Sequence, residues 1–200
     1  MNYPKTVVNL IECYKKFPGV GEKTAERMAL ATLNMEKDAL ELFSKSLLDS
    51  KTLIKRCERC NNLTENTLCD ICTNEERNHK LICVVEEPKN AFAFEKVGTY
   101  KGVYHILDGL ISPLDGINPE DININSLIDR ITDEGIEEVV IAVRPSIEGE
   151  TTSLYILKKL EKLNVTVSKI AHGIPLGADM DYIDSMTLEM ALEDRKKISN

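Results

Sequence analysis

The sequence predicts an α/β protein built from modules: a helical N-terminal part, a small four-cysteine metal knot, a mostly parallel sheet covered by helices, and a helical tail. Three observations predict it. Cys57, Cys60, Cys69 and Cys72 stand in a CxxC-x8-CxxC array, two close pairs able to fold round one tetrahedral zinc ion. Before the array, apolar residues recur with the period of helices. After it, from Leu81, short apolar runs alternate with helical stretches, as strands joined through crossover helices do.

In the N-terminal part, Val7, Leu10, Ile11 and Tyr14 fall on one face of a helix over 7–14. Phe17-Pro18-Gly19-Val20-Gly21 is a hard stop. Helix resumes over 22–33, with Ala25, Met28, Ala29 and Thr32 on the buried face, and a third amphipathic stretch covers 35–53. Gly19 and Gly21 both permit positive φ and the close approach of a ligand. The amides of 19–23 can then point outward at a helix start, an anion site by geometry and dipole. Lys23 and Arg27, four residues apart, share a helix face and can reach neighbouring phosphates. Such contacts recognise a nucleic-acid backbone and read no base. The same residues also fit an ordinary helix corner with solvated cations.

A zinc site of four thiolates has no open position, so it is structural, and metal binding supplies folding free energy to a segment with little core. His79 is not needed as a ligand. Lys55, Arg56 and Arg59 surround the first cysteine pair, where they reinforce the thiolates, face DNA or are merely solvated. Cys13 and Cys83 read as small buried hydrophobes.

In the α/β part, strands are expected at 81–85, 102–107, 139–143 and 165–170, and helices at 88–97, 124–133 and 151–163. The loop 108–120 holds Gly109, Pro113, Gly116 and Pro119, too many breakers for regular structure. The tail, 172–200, holds a glycine loop and a helix near 187–197. Glu86 follows the first strand. Glu148-Gly149-Glu150 reads as an acidic loop after the 139–143 strand. Both lie at C-terminal strand ends, where open sheets place ligands. Glu86, Glu148 and Glu150 could contribute to a Mg²⁺ site. The intervening Arg144-Pro145-Ser146 holds no aspartate, and two-metal phosphodiester chemistry needs more carboxylate than this. No nucleophile is evident, so no catalytic residue is assigned; plain solvated charge is the other reading of the glutamates. His105 and His172 read as structural histidines.

Composition narrows the function classes. An apolar fraction of 42 % over 200 residues is enough for real cores. No apolar run approaches a membrane span, and residues 1–16 lack a signal core, so export is not expected; six cysteines, four of them in metal spacing, fit a reducing cytoplasm. The net charge is -8, but residues 1–80 carry 13 Lys/Arg against 12 Asp/Glu, and residues 81–200 carry 12 against 21. DNA contact is therefore expected to be local, salt-sensitive and supplied by the first part. There is no GxxxxGK[ST] loop, which argues against ATP hydrolysis by this chain alone.

The order of the blocks PGVGEKTAERMA (18–29), the cysteines at 57–72, YHILDGLISPLDG (104–116), IEGETTSLYI (147–156), IAHGIPLG (170–177) and DYIDSMTLEMAL (181–192) resembles that of the bacterial recombination mediator family RecR. The resemblance covers essentially the whole chain. It implies a helix-hairpin-helix DNA-binding domain at 1–53, a four-cysteine zinc finger at 54–78, a Toprim-like α/β domain at 79–173, and a Walker-B-like segment with a helix for subunit packing at 174–200. It implies a non-enzymatic clamp, homodimeric or homotetrameric and nucleoid-associated, that binds single- and double-stranded DNA. The clamp would act with RecO and RecF to load RecA recombinase at single-stranded gaps. By the same resemblance Gly19, Gly21, Lys23 and Arg27 contact DNA, the four cysteines hold one structural Zn²⁺, and Glu86, Glu148 and Glu150 are the Toprim acidic positions. Arg144-Pro145-Ser146 departs from the family's Asn-Pro-Thr, and a salt bridge from Arg144 to Glu148 or Glu150 is expected. Gly177-Ala178 replaces paired glycines before Asp179, which weakens a nucleotide site in the tail. The competing readings are a Toprim-type Mg²⁺-dependent nuclease or primase-like enzyme, and a zinc adaptor that does not touch DNA.

Overall fold

The computed structural model describes residues 3–171 and 173–198; His172 lies outside them. Two compact units meet in sequence after Ile54, and each is described by itself.

The first unit is three helices, α1 (Lys5–Tyr14), α2 (Glu22–Leu33) and α3 (Lys37–Thr52). Ala25 and Ala29 of α2 are fully buried against Ile11 and Tyr14 of α1. Their small side chains let the two helices approach closely, and the Tyr14 hydroxyl meets Thr32 Oγ1 at 2.6 Å across the interface. The α3 helix buries none of its residues. Cys13, expected to be buried, is exposed, because its position on α1 falls off the Ile11–Tyr14 stripe.

The second unit opens with a two-residue antiparallel hairpin, β1 (Lys55–Arg56) with β2 (Leu63–Thr64), then a one-turn helix α4 (Asp70–Thr73). A four-stranded sheet follows: β3 (Asn78–Val85), β4 (Gly102–Ile106), β5 (Glu138–Ile141) and β6 (Thr166–Lys169), in the order β4-β3-β5-β6 and parallel throughout. Helices α5 (Pro88–Val97), α6 (Ile124–Glu134) and α7 (Ile147–Leu160) connect the strands. The two-residue period of β3 divides the core. Ile82 and Val84 join Ile124, Leu127, Ile156 and Leu160 of α6 and α7 on one face, and Cys83 and Val85 join Ala91 of α5 on the other. The chain runs from β3 outward to β4, then crosses back to β5. The C-terminal end of β3, just before Glu86, is thus the switch point where such sheets open a crevice.

The 108–120 segment carries two one-turn 3₁₀ helices, Pro113–Asp115 and Pro119–Asp121, each begun by its proline. The tail helix α8 (Ser185–Glu193) starts two residues earlier than expected because Asp184 caps it, its Oδ1 accepting from Thr187 N at 2.9 Å.

His105, in β4, is a structural histidine. It is 1 % exposed, and its Nε2–H donates to the Asn123 carbonyl at 2.8 Å. Burial, with Arg130 nearby, lowers its pKa from 6.5 to about 4. The unfolded chain therefore binds the proton first as pH falls. The stabilising effect is complete above pH 6.5 and is lost between 6.5 and about 4; over that window it amounts to on the order of 3 kcal/mol. A His105→Gln variant is expected to show a shallower acid dependence of urea stability across this window. Parallel curves for the two proteins would contradict the assignment.

Candidate functional site

The glycine hairpin is built by the first unit alone. Phe17 N bonds back to the Tyr14 carbonyl, and Val20 N to that of Phe17, winding the chain off α1. Gly19 has φ +79, a left-handed conformation that favours glycine. Gly21 differs from expectation: it is extended, at φ -84 and ψ 175, and serves as the N-cap of α2. No positive φ is needed there. What Gly21 contributes is space, since a Cβ at either glycine would meet nothing within 4 Å. No side chain caps α2, so its first amides remain available to a ligand. Lys23 and Arg27 are both exposed, and no ion pair among the described residues includes them. By contrast Lys15 is held by Glu12 at 2.9 Å and Glu22 at 2.8 Å.

The four cysteines converge. Their sulfurs lie within 4.8 Å of one another, and all four residues are buried. Sγ of Cys60 and Cys69 are 3.5 Å apart, too far for a disulfide and suitable for thiolates around a shared ion. The first pair sits on a turn in which Asn61 takes φ 62 and its amide donates to the Cys57 carbonyl at 2.8 Å. The second pair sits on α4: Cys69 is its N-cap and Cys72 lies within its single turn. The residues fit a structural tetrahedral metal with no position open to substrate. His79 is not among the ligands; its Nε2 meets the Asn74 carbonyl.

The cations around the knot tie it to the sheet. Arg56 pairs with Asp108 at 2.7 Å, and Asn61 Nδ2 donates to the same carboxylate at 2.7 Å. Arg59 pairs with Glu134 of α6 at 2.7 Å; the other oxygen of Glu134 is 3.2 Å from Arg130, which donates to the Tyr104 carbonyl at 2.7 Å. Of the three basic residues considered for DNA, Arg56 and Arg59 are engaged internally and Lys55 is exposed. Sequence reading misses Asp108 and Glu134 as their partners. The Asp108-Gly109 dipeptide is a turn signal, and Asp108 does take φ 63. Nothing local marks Glu134.

At the sheet end, the Glu148-Gly149-Glu150 segment is no loop. It forms the first turn of α7, which begins four residues before the expected 151. Ser146 caps it, accepting from Gly149 N at 3.2 Å, and two glutamates in a first turn suit the helix dipole. Glycine here permits contact, since a Cβ on Gly149 would collide with the Arg144 carbonyl oxygen.

The three glutamates are divided. Glu86 and Glu148 line one groove of about 400 Å³ with Ser112, Asp115, Arg144 and Ser146. Glu150 lines another, with Lys169 and Glu193. Arg144 approaches Glu86, at 3.5 Å, and not Glu148 or Glu150 as expected. Those two are already taken: Glu148 accepts from the Ser146 hydroxyl at 2.6 Å, which holds its pKa low, and Glu150 pairs with Lys169. Burial pushes the Glu86 carboxyl up, with Arg144 opposing. Among the described residues the cysteines are the one group of three or more His, Cys, Asp or Glu placed to hold a metal ion.

Four family models match the chain in succession. They are those of the RecR helix-hairpin-helix (residues 7–51), the RecR four-cysteine zinc finger domain (54–74), the Toprim domain (80–171) and the RecR C-terminal segment (173–196). Each falls on a part already distinguished by its structure: the glycine hairpin, the cysteine knot, the parallel sheet and the tail. With these parts in this order along nearly its whole length, the chain belongs to the RecR family of DNA-repair and recombination proteins.

Proposed function

We propose that this chain is a non-enzymatic DNA-binding clamp and adaptor. It acts with RecO and RecF to help load RecA recombinase at single-stranded gaps. The observation that carries the DNA-binding part is the hairpin: an uncapped helix start with open space at Gly19 and Gly21, and beside it the exposed Lys23 and Arg27, which form no ion pair among the described residues. These four residues contact the phosphate backbone. Cys57, Cys60, Cys69 and Cys72 hold one structural zinc ion. The tail, 174–200, packs against a neighbouring subunit in a homodimer or homotetramer. Several weakly basic hairpins then act together, and linkage raises avidity without new contacts.

The competing reading, a Toprim-type Mg²⁺-dependent nuclease or primase-like enzyme, is disfavoured by Glu86 facing Arg144 and by the separation of Glu150 into a second groove.

The test is binding to a gapped duplex across a salt series, with particle mass measured in parallel and products examined with and without Mg²⁺. Lys23→Ala/Arg27→Ala is expected to weaken binding and to lower the salt slope by about 2 per engaged subunit on duplex DNA. The DNA is expected to stay intact. Cleavage or synthesis that depends on Mg²⁺ and is lost in Glu86→Gln would overturn the proposal in favour of the enzyme. An unchanged slope in the double variant would remove the hairpin from the DNA interface.

A further inference from the structure

The acidic segment holds a basic cluster at the far end of α7. Residues 81–200 carry 12 Lys/Arg against 21 Asp/Glu, and carboxylates engage Lys89, Arg130, Arg144 and Lys169. No ion pair among the described residues includes Lys158, Lys159 or Lys162. Tyr155, Lys158, Lys159 and Lys162 are three and four residues apart, so they share one face of α7 and the turn after it. With Glu161 they line a groove of about 470 Å³. The Tyr155 ring is half-buried against the sheet core and is thereby fixed in place, and Lys159 Nζ lies over its face, 5.3 Å from the centroid, so a base seated on that face takes the place of the ammonium, which turns to a phosphate. A helix C-terminus attracts cations, which accounts for Lys158 and Lys159 in the last turn but not for Lys162 beyond it. Like charges at this spacing repel and weaken a helix, so an anion seated among them would relieve a cost the free protein carries.

We infer that this face is a second nucleic-acid contact, which takes a segment of single-stranded DNA with its phosphates among Lys158, Lys159 and Lys162 and a base against Tyr155. Single-strand sites combine a basic groove with an aromatic platform in this way. A duplex keeps its bases stacked away from the ring, and an acidic peptide would use the lysines without needing the ring. The contact does not depend on the hairpin, being built entirely by the second unit.

The test uses the full-length, zinc-loaded protein and a thymidine oligonucleotide carrying 5-iodouracil. Photo-crosslinking and peptide mass spectrometry map the adduct, and fluorescence anisotropy across a salt series gives the affinity. The adduct is expected on Tyr155. Lys158→Ala/Lys159→Ala/Lys162→Ala is expected to lower the single-strand salt slope by about 2, from three phosphates at about 0.7 each, and the triple arginine variant to restore it. Tyr155→Leu is expected to weaken binding about fivefold or more, and Tyr155→Phe to keep it. The same triple change in the Lys23→Ala/Arg27→Ala background separates this contact from the hairpin. A further loss there supports a second site. An effect of the hairpin change alone, an unchanged slope in the triple-alanine variant, or an adduct confined to residues before Ile54 overturns the inference and leaves the hairpin reading standing. An effect of the triple change alone supports this contact and counts against the hairpin.

Discussion

Stripping the metal, or replacing Cys72 with serine, is expected to unfold the parallel sheet along with the knot. The knot has no core apart from its cysteines and their neighbours, so its order depends on the metal. The sheet in turn depends on the knot. The Cys60 carbonyl accepts from Ile106 N at 2.9 Å, at the end of β4. Ile71 of α4 packs against the cysteine cluster and against the apolar clusters on both faces of the sheet. Arg59, Glu134 and Arg130 run in a continuous chain of ion pairs from the knot to the Tyr104 carbonyl. Arg130 is only 5 % exposed, and breaking a buried pair from one side strands the remaining charge at several kcal/mol.

Structural zinc contributes about 10–16 kcal/mol of apparent binding free energy in zinc-finger peptides, while a whole domain is stable by about 5–15 kcal/mol. Metal loss is therefore large enough to remove the fold of the second unit. Hydrogen exchange on the zinc-loaded and chelated protein checks this, with peptides spanning 102–106 and 138–141 as reporters. Loss of protection there in step with 55–73 is the expected result. A knot that melts while β4 and β5 stay protected would show the two to be separable. Glu134→Gln is the milder companion: the protein should hold zinc but release it to a chelator more readily, because the α6 end of the tether is cut.

The parts that are legible in the sequence are those fixed by local pattern. The α2 helix is placed at both ends, because the glycine stop precedes it and Ala25, Ala29 and Thr32 repeat on its buried face. The order of strands and helices follows from the change of period at Leu81, and the cysteine cluster from spacing alone. The missed ion pairs share a different cause. Arg56, Arg59 and Arg144 find carboxylates distant in sequence, at Asp108, Glu134 and Glu86, and no local pattern encodes such pairs. Glu148-Gly149-Glu150 reads as a loop, and glycine does weaken a helix by about 1 kcal/mol relative to alanine. The capping serine and the acidic first turn around it are the better signal, and tertiary contact decides the glycine.

That contact sets the sign of the second large effect. In an exposed helix interior, Gly→Ala stabilises by about 1 kcal/mol. At Gly149 the added methyl would strike the Arg144 carbonyl oxygen, with Val143 Cγ2 also near, at 3.5 Å. The obstacle is backbone three residues past β5, so no side chain can rotate aside and α7 itself must shift. Overpacking against a rigid neighbour costs about 1–3 kcal/mol, and more where backbone must move. Gly149→Ala is therefore expected to destabilise by about 3 kcal/mol or more, read from urea unfolding with unchanged m-value. The damage should propagate to the loop over the groove, because Thr152 Oγ1, one turn along α7, accepts from Ile111 N at 2.9 Å while donating to the Glu148 carbonyl at 2.7 Å. Gly21→Ala supplies the contrast. With φ -84 and nothing within 4 Å of the new Cβ, it should change stability by only about 0.5 kcal/mol, as substitutions away from buried contacts usually do. It should still weaken DNA binding by filling the space a phosphate would occupy. If Gly149→Ala proved as stable as wild type, the close approach of α7 to residue 144 would be wrong. With it would fall the account of why Glu148 and Glu150 stand on a helix.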